Sequence, residues 1–100
     1  MDYTIREETG GLRILPEGEI DMHVAPEFRK ILHKLLDGNP QRVIMDLTHV
    51  PFIDSSGIAT IVEVLKLTRK RGGSLVVEGC QPTVRDTFEV AGLTKILGIT

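Results

Sequence analysis

The sequence has no tryptophan, four aromatic residues in all and a single cysteine in 100 residues. So few rings leave little from which to build a base-stacking platform for nucleic acid. A formal net charge of −2 also lacks the basic excess that a nucleic-acid footprint requires. One cysteine, Cys80, excludes an internal disulfide and fits a reducing compartment. No apolar run approaches the roughly 20 residues of a membrane-spanning helix, and no signal-peptide pattern opens the chain. Internal repeats, linkers and low-complexity tracts are missing too. The chain is therefore expected to be cytoplasmic and monomeric, with no nucleic-acid partner and no direct membrane insertion. What is present is ordinary for a globular protein, 41% hydrophobic and 26% charged residues. That fits one domain over residues 1–100.

The chain is organised around Val50-Pro51-Phe52-Ile53-Asp54-Ser55-Ser56-Gly57-Ile58. Before it runs an apolar segment, Arg42–Leu47, which reads as a central strand. After it Ile58, Ile61, Val62 and Leu65 recur at i, i+3, i+4 and i+7, the spacing of an amphipathic helix over about Ser55–Arg71. Asp and Ser are good N-caps. A glycine in a first turn costs about 0.5–1 kcal/mol relative to alanine, so Gly57 is expected to let another backbone or a protein partner approach Ser55 and Ser56. A second stripe on this helix, Thr60, Val64 and Leu67, is either covered by the C-terminal element or exposed beside this loop, and the expectation adopted is that it forms part of the same partner surface.

The remaining elements follow from punctuation and period. Two short strands flank Gly10-Gly11 as a hairpin. Asp21 is placed to cap a helix from about Val24 to Asp37, whose apolar stripe is Val24, Phe28, Ile31, Leu32 and Leu35, with Gly38 at its end. Ser74–Glu78 forms a strand after Gly72-Gly73, so Arg42–Leu47 and Ser74–Glu78 should lie parallel in a right-handed βαβ unit. Gln81-Pro82 opens a third helix that Gly92 stops, and the tail Leu93–Ile99 is apolar enough to pack as a short last element.

Catalysis and metal binding find little support. A serine hydrolase could draw on Ser55 or Ser56, on His23, His33 or His49, and on Asp46. No G-x-S-x-G elbow is present, however, and the histidines occupy three different local settings. Their spacing matches no metal site, and Gly72-Gly73 follows a helix instead of opening one as a phosphate cradle would. No catalytic residue, metal or cofactor is assigned.

Gly18-Glu19-Ile20-Asp21 before a helix, Val43-Ile-Met-Asp-Leu47, Phe52-Ile53-Asp54-Ser55-Ser56-Gly57, Gly72-Gly73 and Ala91-Gly92-Leu93 together resemble STAS domains. Within that family they are most similar to bacterial anti-sigma-factor antagonists. The resemblance covers the chain in order and implies an α/β fold, a mixed four- to five-stranded sheet with helices packed on it. It also implies a non-enzymatic switch. The unphosphorylated form binds an anti-sigma factor that is itself a serine kinase, frees a sigma factor, and is turned off by phosphorylation of Ser55. A serine phosphatase would reset it. Asp21 and Asp54 map to acidic positions near that surface, with Ser56, Gly57, Thr60, Val64 and Leu67 beside them. A phosphate on Ser55 is expected to meet free N–H groups at the helix N-terminus. STAS domains also serve as non-catalytic subunits of lipid-transport ABC complexes, in which Ser55 would be a helix cap.

Overall fold

Seven elements alternate along the computed structural model, which describes residues 1–99. They are β1 (Asp2–Glu8), β2 (Gly11–Glu17), α1 (Ala25–Leu36), β3 (Arg42–Asp46), α2 (Ser55–Lys70), β4 (Ser74–Glu78) and α3 (Pro82–Val90). The four strands form one mixed sheet in the order β1-β2-β3-β4. β1 and β2 pair antiparallel around the Gly10 turn, while β2–β3 and β3–β4 are parallel. The expected parallel pair and its helical crossover are both present.

Register lines up two apolar rows across the sheet, Leu12–Val43–Leu75 and Ile14–Met45–Val77. They join Phe28, Leu32 and Leu36 of α1 and Ile61, Val64 and Leu65 of α2 in one core. On β3 the whole run Val43–Met45 is buried, as a central strand covered on both faces should be. The opposite face carries Arg13, which holds Glu8, Asp46 and Glu78 at 2.9 Å each. The tail forms a turn whose Leu97 is fully buried, and the Leu97 carbonyl accepts the Val77 N–H of β4 at 2.8 Å.

Three local expectations need correction. The Asp21 carboxylate does not cap α1 directly; its Oδ1 accepts the N–H groups of His23 and Val24 at 2.9 and 3.1 Å. The Asp21 carbonyl takes the Ala25 N–H at 2.8 Å, so Asp21 shapes a turn ahead of the helix. At the far end Asn39, not Gly38, takes the left-handed conformation, with φ of 50°; asparagine tolerates it better than most residues.

The third correction concerns α2. Its buried positions include Gly57, Thr60, Ile61, Val64, Leu65 and Thr68, an arc centred on 57, 61, 64 and 68. Val62 is only half-buried. Thr60 and Val64 therefore lie in the interior at 6% and 1% exposure, not on a partner surface, and Leu67 is half-buried against the core. The reason is that α2 is covered by α1 as well as by β4, which widens its apolar arc. The Thr60 and Thr68 hydroxyls donate to the carbonyls of Ser56 and Val64, one turn back, at 3.0 and 2.7 Å. With the hydroxyl satisfied inside the helix, threonine is buried at little cost.

Candidate functional site

Two short extended segments bring the functional residues together. Residues 18–21 leave β2 and run beside residues 51–54, joined by a parallel bridge between Ile20 and Ile53. The Ile20 N–H donates to the Phe52 carbonyl at 2.9 Å, and the Asp54 N–H to the Ile20 carbonyl at 3.1 Å. Ile20 and Ile53 are fully buried beneath, so hydrophobic anchors fix the bridge from inside.

Asp54 sits at the end of this bridge as the N-cap of α2, with extended backbone. Its Oδ1 accepts the N–H groups of Ser56 and Gly57 at 2.9 and 3.2 Å. Its Oδ2 accepts the Met22 N–H at 3.0 Å. One carboxylate thus caps α2 and straps it to the turn ahead of α1. That places Asp21 and Met22 next to the start of α2, a neighbourhood separated by about thirty residues of sequence.

Ser55 is exposed at the first position of α2, and no hydrogen bond among the described residues engages its hydroxyl. Ser56 is half-buried, and its carbonyl is taken by Thr60. Most of the first-turn donors that a phosphate was expected to find are already in use: Ser56 and Gly57 point at Asp54 Oδ1, and the Ile58 N–H donates to the Asp54 carbonyl, which leaves the Ser55 N–H without a partner among the described residues. A phosphate on Ser55 would stand in solvent beside a carboxylate instead of being held in a cradle. Like charges this close repel.

Gly57 serves one of its two expected uses, the close approach of another stretch of the chain. It is buried, and the space a side chain would fill belongs to Ile20 and Ile53 of the same chain. The glycine lets α2 lie on the bridge.

The groups that a hydrolase would need are not brought to the serines. His23 and His49 are exposed in separate loops, and His33 Nε2 lies 3.6 Å from Glu63 Oε1 in the α1–α2 seam. Asp46 is bound to Thr48 and Arg13. Burial pushes the Cys80 thiol up from its ordinary value, away from the thiolate that would make it reactive. Among the described residues, no hydrogen bond ties the Ser55 hydroxyl to a base.

Sequence reasoning missed two residues of this surface. Met22 and Phe52 are exposed at 65% and 47%, on either side of the Asp54 strap. The signal for Phe52 was available: in an extended segment neighbours point to opposite faces, so with Ile53 inward, Phe52 must face out. Met22 carried no such signal, because its position depends on the long-range bond to Asp54.

Comparison with known proteins adds four likenesses. The STAS domain family model matches residues 3–100. The anti-sigma-B factor antagonist of Listeria monocytogenes is 33% identical over 94 residues, which is 92% of this chain and 81% of that one. The anti-sigma factor antagonist SpoIIAA, solved in its unphosphorylated form, superposes with a TM-score of 0.80 at 25% identity, over 94% of this chain and 84% of that one. Bacillus SpoIIAA in its phosphorylated form gives 0.73 at 22% identity, over 94% and 86%.

Proposed function

We propose a function from the premise that this chain belongs to the STAS domain family: it is an anti-sigma-factor antagonist. In its unphosphorylated form it binds an anti-sigma factor in the cytoplasm and so frees a sigma factor. The bound anti-sigma factor is a serine kinase that phosphorylates Ser55, a serine phosphatase reverses the modification, and the chain itself is no enzyme. The names of the Listeria and SpoIIAA relatives support the class of partner. The observation that carries the site is Ser55 itself, an exposed and unengaged hydroxyl at the start of a helix whose position is fixed by Asp54.

The contact surface comprises Asp21, Asp54, Ser55 and Ser56 with exposed Met22 and Phe52 beside them, and half-buried Leu67 at most at its margin. Phosphorylation adds about −1.5 to −2 charges, and an unpaired charge forced into an interface costs about 2–5 kcal/mol. That corresponds to roughly 30- to 5000-fold in affinity, enough to dissociate a complex without unfolding either partner.

The test is incubation with an anti-sigma-factor kinase of the same genome and ATP, followed by mass spectrometry. Ser55 should carry the phosphate, Ser56→Ala should still be modified, and Ser55→Ala should bind the kinase but accept nothing. A phosphate on Ser56, or on neither serine, overturns the assignment.

A further inference from the structure

β1 is the open edge of the sheet. At the other edge β4 gives its Val77 N–H to the tail, whereas β1 has a strand only on its β2 side. All seven residues of β1 are exposed, among them Tyr3 at 43% and Ile5 at 44%. Pro16 stands opposite Tyr3. Proline has no amide proton, so this is a non-hydrogen-bonded pair of the hairpin. The peptide groups of Tyr3, and by alternation those of Ile5 and Glu7, therefore face outward onto the open edge.

Within the hairpin the charges of β1 are poorly matched. Asp2 lies opposite Glu17, and Arg6 lies opposite Arg13; like charges directly opposite are destabilising. Arg13 is committed to Glu8, Asp46 and Glu78, and neither Asp2 nor Arg6 forms a side-chain ion pair among the described residues.

We infer that β1 is a self-association edge, which pairs antiparallel with β1 of a second copy about a two-fold axis through Thr4. In that register Asp2 of one copy faces Arg6 of the other, Tyr3 faces Ile5, and Thr4 faces Thr4. Opposite charges, an aromatic with a β-branched residue, and two threonines are all favourable cross-strand pairs. The outward peptide groups of Tyr3 and Ile5 are the ones that would bond across the axis. Moving the axis to Ile5 would instead set Asp2 against Glu8. The second copy thus satisfies both charges that the hairpin leaves mismatched, and the contact is isologous. About five residues a side make a small interface, so the dimer is weak and concentration-dependent. It replaces the monomer expected from the sequence. None of the residues around Ser55 lies on β1.

Sedimentation equilibrium across the micromolar to millimolar range tests this. The chain should show a monomer–dimer equilibrium, and Asp2→Arg and Arg6→Asp should each weaken it about tenfold. The double variant Asp2→Arg/Arg6→Asp should recover it. Each single reversal relieves a like-charge pair inside the hairpin, so the loss does not come from misfolding. In a Cys80→Ser background Thr4→Cys should cross-link under mild oxidation, because a non-hydrogen-bonded pair brings the Cα atoms to about 4.5 Å, within disulfide range. Ile5→Cys should cross-link far less. A monomer at every concentration, a double variant no better than the singles, or equal cross-linking through Ile5→Cys would overturn the edge or its register.

Discussion

Gly57 lies where α2 crosses the Ile20–Ile53 bridge, and an added β-carbon would come within 2.7 Å of Ile53 Cγ1 and 2.8 Å of Ile20 Cγ2. Both neighbours are buried, so they have little room to give way. Gly57→Ala should destabilise by about 1–3 kcal/mol, or roughly 4–8 °C of unfolding midpoint per kcal/mol for a domain of this size. An unchanged midpoint by calorimetry would mean that the bridge yields. Asp46 sets a pH dependence at the same scale. Burial pushes its pKa up, but the Thr48 hydroxyl and amide with the Arg13 guanidinium outweigh that and hold it below its ordinary value. A carboxylate lowered in this way stabilises the fold above its unfolded pKa and loses that contribution as pH falls through the folded one. Acid titration of the unfolding midpoint below about pH 4 should therefore show a shallower decline in Asp46→Asn than in the parent.

At the scale of elements, α2 carries both a core face and the start of the proposed partner surface. Val64 is 1% exposed, so Val64→Ala should cost about 2 kcal/mol. Phe52→Ala should stay within about 0.5 kcal/mol of the parent while weakening binding to the anti-sigma factor. Denaturant unfolding paired with calorimetric titration separates the two, and equal stability losses would place Phe52 in the core. On the outer side of the helix Arg29 of α1 makes a two-pronged pair with Glu63, at 2.8 Å for both Nε–Oε2 and Nη2–Oε1. Such an exposed pair adds little stability.

For the molecule as a whole, the arrangement favours a change of surface over a change of shape. Asp54 takes the Ser56, Gly57 and Ile58 N–H groups before any phosphate arrives, so the phosphate finds only the Ser55 N–H of the first turn, too little to pull the chain elsewhere. Ser55→Glu should accordingly keep the circular dichroism spectrum and unfolding midpoint of the parent while binding the anti-sigma factor at least tenfold more weakly. A shifted spectrum would point to a conformational switch instead.

Much of this architecture could be read from local sequence. Gly10-Gly11, Gly38-Asn39-Pro40 and Gly72-Gly73 break the chain where backbone strain or missing donors demand it. The segments between them have clear periods, and strand β4 was located to the residue. Asp54 was identifiable as a cap because capping is a local matter of one side chain and two amides. The rotation of α2 about its axis was not readable. Periodicity gives the direction of an apolar stripe, but the width of the buried arc depends on how many elements cover the helix, and here α1 and β4 both do. Thr60 and Thr68 bond one turn back and so enter the core, which widens the buried arc further. The segment that approaches Gly57, the Met22–Asp54 strap and the open edge of β1 were beyond reach for the same reason. Each depends on which distant segments become neighbours, and only the packed chain settles that.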